Sequence, residues 1–154
     1  MSRQVTSTQR IIDNLRRVIQ IVADYSKAVE RSTGLTGPQL WALKILSSTS
    51  PLHVSDLARR MYLSPATVVG ILDRLEIKGL VTRTRSIIDR RVVDLHLTEM
   101  GEVFAVKAPD VAQSMLMKGL DEMSDEQFAF VDEGMKQMVR ILKAEHIVPQ
   151  PLHG

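Results

Sequence analysis

Across residues 55–97 the apolar positions switch from helical spacing to strict alternation, and that switch constrains the fold more than any other feature of the chain. Ser55-Asp56-Leu57-Ala58-Arg59-Arg60-Met61 reads as a short helix capped by Ser55, with Tyr62-Leu63 as a turn. Ser64 then caps a second helix with Pro65 at its first position, where a missing backbone N–H is harmless. Val68, Ile71, Leu72 and Leu75 make one apolar stripe along that helix, and Lys78-Gly79-Leu80 ends it. Beyond Gly79 the period becomes two. Val81-Thr82-Arg83-Thr84-Arg85 and Val92-Val93-Asp94-Leu95-His96-Leu97 read as strands joined by a charged loop, a hairpin whose tip must expose Arg90. Helix, tight turn, helix and basic hairpin in that order predict a winged helix-turn-helix.

The flanking sequence is helical. Ile11, Ile12, Leu15, Val18, Ile19, Val22, Tyr25 and Val29 recur every three or four residues, predicting one amphipathic helix over about residues 6–32. It is longer than a small domain needs, which points to a partner beyond its own domain. Gly34 is its expected stop. Thr36-Gly37-Pro38-Gln39 opens the next helix, with Thr36 as cap, Gln39 completing a capping box, and Leu35 and Leu40 as a hydrophobic staple. That helix carries Leu40, Trp41, Leu43, Lys44 and Ile45 and stops in residues 47–51; Leu52-His53-Val54 is a short extended piece. After the hairpin, Thr98 caps a fifth helix and Ser124-Asp125-Glu126-Gln127 opens a sixth with Phe128, Val131, Met135, Met138, Val139 and Leu142. The expected fold is therefore mostly α (α+β), with about six helices and a small two- to three-stranded wing sheet in a single domain of 154 residues.

Composition closes several function classes. Without cysteine there are no disulfides, thiolate metal sites or thiol redox chemistry. No run approaches the ~20 apolar residues of a membrane helix, and the first residues do not form a secretion signal, so the expected location is the cytoplasm. The sequence holds no HExxH, phosphate-binding glycine loop, nucleophile elbow or GxGxxG, and no enzyme is expected. Asp121-Glu122 and Asp125-Glu126 are expected at a helix start, where negative charge suits the dipole. Net charge is only +2, but its distribution is uneven: residues 55–91 hold eight Lys/Arg against four Asp/Glu, and residues 98–154 hold five against ten. A basic middle with an acidic C-terminal part suits a protein that offers one face to a polyanion.

Double-stranded DNA is the polyanion that this layout fits. A helix enters the major groove, about 12 Å wide, and reads base edges with residues near its N-terminus. With the stripe turned to the core, the second helix of the motif presents Pro65, Ala66, Val69, Gly70, Asp73 and Arg74, with Thr67 at the border. Small residues let its backbone approach the bases, Arg74 reaches a guanine or a phosphate, and the free N–H groups behind Ser64 suit a phosphate. The hairpin brings Arg83, Arg85, Arg90 and Arg91 to the flanking backbone and minor groove. A winged module used for protein binding is the competing reading.

The run from Ser55 to Met61, then Leu63-Ser64-Pro65-Ala66-Thr67-Val68-Val69-Gly70-Ile71-Leu72-Asp73-Arg74-Leu75-Glu76-Ile77-Lys78-Gly79-Leu80-Val81, resembles the multiple-antibiotic-resistance regulator (MarR) family. Asp89-Arg90-Arg91 followed by Leu97-Thr98-Glu99-Met100-Gly101 is similar to that family's wing signature, and Leu35-Thr36-Gly37-Pro38-Gln39-Leu40 to the opening of its second helix. The resemblance covers about residues 35–101.

It implies a homodimer whose first, fifth and sixth helices intertwine: residues 1–34 and 102–148 as dimerisation helices, 35–101 as the DNA-binding unit, and 149–154 as a tail. It further implies a regulator, in most cases a repressor, on a pseudo-palindromic operator. Asp89 would pair with Arg91 to brace the wing, and Arg90 would be the outward wing arginine. Many such regulators release DNA on binding a small aromatic acid. Tyr25, Trp41, Lys44 and Tyr62 form the candidate pocket, Lys44 neutralising the carboxylate, although Trp41 and the tyrosines also read as core. The family's cysteine-based sensing has no residues here, its zinc sites need clustered ligands that these scattered histidines do not supply, and no cofactor is expected. His53 reads as structural, His146 and His153 as inert tail residues.

Overall fold

The computed structural model of the chain describes residues 3–152; His153, expected to be an inert tail residue, lies outside them. Ten elements follow in order: α1 (Arg3–Thr33), α2 (Gly37–Ser48), β1 (Leu52–His53), α3 (Val54–Met61), α4 (Pro65–Ile77), β2 (Val81–Arg85), β3 (Val93–Leu97), α5 (Glu99–Lys107), α6 (Ala112–Asp121) and α7 (Asp125–Ile141). The mostly helical winged fold expected from the periodicity is the observed one.

Local chemistry explains most boundaries. Thr36 and Gln39 form the reciprocal capping box of α2, and Ser124 and Gln127 form that of α7. Ser64 accepts the Thr67 N–H at the start of α4, and Thr98 accepts the Gly101 N–H at the start of α5. Gly79, at φ 70°, ends α4 in the left-handed conformation, so that Leu80 N–H can reach the Leu75 carbonyl.

Two expectations shift. Ser55 does not cap the third helix: α3 starts two residues earlier, at Val54 with His53 in the cap position, because the chain turns into helix directly out of β1. The fifth helix expected between Thr98 and Ser124 is two helices. Pro109 supplies no N–H and drives the residue before it out of helical geometry; Ala108 sits at φ −74°, ψ 150°, and α5 ends there. Among the described residues seven helices result where about six were expected, and Asp121-Glu122, expected at a helix start, instead end α6, while Asp125 and Glu126 do open α7.

The strands form one antiparallel sheet in the order β1-β3-β2, with Leu52 opposite Leu95 and Arg83 also opposite Leu95 from the other side. The short extended piece at Leu52 is thus the third strand of the wing sheet. His53 faces Asp94 across the β1–β3 pair, its Nδ1 3.1 Å from the carboxylate. The core lies where α2 is wrapped by α3, α4, α5 and the sheet. Leu40, Leu43, Leu46, Leu57, Met61, Val68, Leu72, Leu75, Val81 and Leu95 are buried there, joined by Val29 from the end of α1. By contrast α7 buries no residue, and most of α1 stands away from this core. Among the described residues no helix is long and apolar enough to cross a membrane.

Candidate nucleic-acid interface

The apolar stripe of α4 (Val68, Ile71, Leu72, Leu75) is buried against the core, and this fixes which side of the helix faces outward. Pro65, Ala66, Val69, Gly70, Asp73 and Arg74 are exposed. Thr67 is half-buried; its Oγ lies 2.8 Å from that of Ser64, so both hydroxyls belong to the helix cap. An open groove of about 380 Å³ runs along this helix, lined by Thr36, Gln39, Thr67, Gly70, Arg74 and the tail residue Pro151, among others. The Arg74 guanidinium has no carboxylate partner among the described residues.

The wing divides its arginines into two kinds. Arg85, Arg90 and Arg91 are exposed with no carboxylate partner among the described residues. Arg83 turns back onto α4 instead: its Nη2 donates to Asp73 and its Nε to Glu76, both at 2.5 Å. These hydrogen bonds, first to Asp73 and then to Glu76, hold the guanidinium pKa above its usual value against a small loss of hydration. Asp73 and Glu76 lie three apart on one face of α4, so one planar guanidinium on β2 engages both. This triad is a strut between wing and helix that side-chain spacing alone did not reveal. Asp89 accepts the backbone N–H of Arg91 at 2.9 Å, closing the turn at the wing tip. That contact is with the Arg91 backbone, and Arg91 itself is exposed.

The four candidate pocket residues have separate surroundings. Trp41 is 5% exposed in the core, and Tyr62 is 73% exposed in the turn between α3 and α4. Tyr25 lines an apolar groove of about 450 Å³ formed by α1, α6 and α7. Lys44 Nζ donates to the Ala105 and Ala108 carbonyls at 3.3 and 3.1 Å, capping the C-terminus of α5, where a cation suits the dipole. A second recess, about 200 Å³, lies between the end of α1 and α5, lined by Ser32, Thr33, Val103, Phe104, Lys107 and Ala108. A second lysine makes a similar bond: Lys78, the C-cap of α4, donates to the Gly34 carbonyl just past α1 at 2.8 Å. Neither lysine contact could be read from local pattern, since the partners are 44 to 64 residues away.

Residues 35–93 match the sequence model of the MarR family. The organic hydroperoxide resistance transcriptional regulator of Bacillus subtilis is 33% identical over 108 residues, which are 70% of this chain and 72% of that protein. The chain belongs to the MarR family. A second relative, the B. subtilis transcriptional repressor MdtR, is 44% identical over 70 residues, 46% of this chain and 45% of that protein. Among solved structures, Streptococcus pneumoniae FabT in complex with DNA superposes with a TM-score of 0.59 at 26% identity, covering 88% of this chain and 97% of FabT. MarR-family fold and relatives are those of transcriptional regulators, not of enzymes. In this MarR-family chain the matched segment spans α2 through the start of β3, and so contains α3, α4, β2 and the wing tip.

Proposed function

We propose that the chain is a sequence-specific DNA-binding repressor, working in the cytoplasm as a homodimer on a pseudo-palindromic operator. One observation carries the DNA reading. The outward face of α4, small side chains plus Arg74, stands beside a wing with three arginines that no carboxylate among the described residues neutralises, in a chain similar over most of its length to FabT in complex with DNA. In this reading Ser64, Pro65, Ala66, Thr67, Val69, Gly70 and Arg74 meet the major groove. Arg85, Arg90 and Arg91 meet the flanking backbone and minor groove. Arg83 acts one step back, holding the wing at a set angle to α4, and Asp89 braces the tip through the Arg91 amide. The sign of regulation is taken from the relative MdtR, a repressor.

The homodimer reading is supported by what a single chain leaves bare. Ile11, Ile12, Val18, Ile19 and Ile21 on α1, and Phe128, Phe130, Val131, Met135 and Ile141 on α7, are all exposed. Two helices with apolar faces and no cover need a second copy to bury them. Residues 1–34 and 102–148 thus serve as the dimerisation part, residues 35–101 as the DNA-binding unit and 149–154 as a tail. An effector belongs to the same reading. A small acid in the recess between α1 and α5 would meet Lys107 and lie next to Ala108, whose carbonyl Lys44 caps. A ligand that drew Lys44 from α5 would shift α2 relative to the dimerisation part and favour the state released from DNA.

Enrichment of duplexes from a random pool by the full-length chain, followed by footprinting and sedimentation, tests the reading. The expected result is a two-fold symmetric site with half-sites about one helical turn, ~10 bp, apart, bound by a dimer. No enrichment, or a monomer protecting the whole site, would refute it.

A further inference from the structure

The wing tip carries a feature that arginine contacts do not explain. Ile87 and Ile88 are 99% and 98% exposed, the two most exposed large apolar side chains among the described residues. They project from a hydrogen-bonded turn. The buried Ser86 accepts the N–H groups of Ile88 and Asp89 on its Oγ at 3.2 and 3.5 Å, and its own N–H donates to the Val92 carbonyl at 2.9 Å. Val92 N–H donates to the Asp89 carbonyl, and Asp89 Oδ1 accepts the Arg91 N–H, each at 2.9 Å. The tip is thus cross-braced, and its two side chains are β-branched and stiff at χ1. Arg85 and Arg90 line one recess with Ile87, and the exposed Arg91 follows next in the chain, so positive charge lies beside this apolar point.

We propose that Ile87 and Ile88 form an apolar wedge that enters the DNA minor groove beside each major-groove half-site and partly unstacks a base step there. The inference rests on the DNA-binding reading above and deepens it. The minor groove suits both parts of the tip. Its negative potential attracts the flanking arginines, while its floor and sugar edges accept an apolar side chain; rigid isoleucines are among the side chains used to pry steps apart. A flexible apolar residue, or a lone arginine, would not store this shape. The energetic consequence is selectivity outside the reach of α4: pyrimidine–purine steps, which unstack most easily, are preferred where the wing lands.

The experiment uses the full-length chain and the duplex it enriches from a random pool, with 2-aminopurine replacing in turn each adenine that flanks the α4 half-sites. Wild type, I87V/I88V and I87S/I88S are compared. Wild type raises 2-aminopurine fluorescence at one flanking step per half-site, and I87V/I88V keeps that rise. I87S/I88S loses it and binds about tenfold more weakly. The slope of log K against log salt stays the same in all three, because no phosphate-neutralising charge has been removed. Thermal unfolding is unchanged, since the pair is exposed. Wild-type affinity and fluorescence in I87S/I88S would overturn the wedge, as would a wild-type complex with no fluorescence rise at any flanking step. Enrichment of no duplex at all by wild type would instead sink the DNA-binding reading, and the wedge with it, so the two failures are distinguishable. A shift of I87S/I88S to monomer would overturn the wedge too, by placing the tip in a protein interface.

Discussion

Arg74 and Gly101 show how much one side chain decides. Arg74 stands exposed on the open face of α4 with no acid among the described residues to hold it. Arg74→Ala should weaken binding by about 1–3 kcal/mol and relax preference at one position per half-site, read by binding to a panel of single-base operator variants. Uniform weakening across the panel would make Arg74 a phosphate contact. Gly101 shows the opposite constraint, space rather than charge. A Cβ there would overlap the Leu80 carbonyl oxygen, which already accepts the Thr98 N–H, so backbone would have to move. Gly101→Ala should cost about 1–3 kcal/mol, seen as a fall of several degrees in Tm. An unchanged Tm would mean that the α4–β2 turn gives way freely.

At the scale of elements, the relation of the wing to α4 is set by Arg83 with Asp73 and Glu76. Arg83 and Arg90 are both wing arginines, yet they should behave differently. Arg90→Ala removes an outward charge and should make log K less steep in log salt by about one unit, the mark of one lost phosphate contact. Arg83→Met should weaken binding with the slope unchanged, because the guanidinium it removes is engaged with two carboxylates; measuring both slopes on one duplex decides the matter. A slope lowered in Arg83→Met would return that residue to the DNA. The elements themselves were legible in advance because caps, stripes and alternation act over a few residues: Thr36 with Gln39, Ser64 with Thr67 and Ser124 with Gln127 all formed as the pattern predicts. Pro109 was an equally local signal, and it divides the fifth helix at Ala108 by the same backbone chemistry.

For the whole molecule, the stripe Phe128, Val131, Met135 and Val139 on α7, continued by Leu142 at its C-cap, is exposed in the single chain. Met135→Asp places a charge in its middle and should shift the protein to monomer in sedimentation at micromolar concentration while the winged unit stays folded. With one recognition helix per particle, the two-half-site footprint should vanish. A dimer that survives this substitution would move the interface to α1 and α6.

Periodicity and capping by themselves determined that this chain makes a winged helix-turn-helix, which face of α4 is outward, and that long amphipathic helices flank it. Each of those properties depends on residues within one or two turns of each other. Only the tertiary structure decided which charges remain available. Arg83 is engaged because β2 lies against Asp73 and Glu76, and Lys44 because α5 ends over α2. Tyr25, Trp41 and Tyr62 have separate surroundings because α1, the core and the α3–α4 turn are different places. The exposure of Ile87 and Ile88 belongs with these: two apolar residues in a loop carry no period, and only a braced turn with nothing packed against it leaves them fully in solvent. Local pattern encodes the elements; the partner of a side chain dozens of residues away is chosen by how those elements pack.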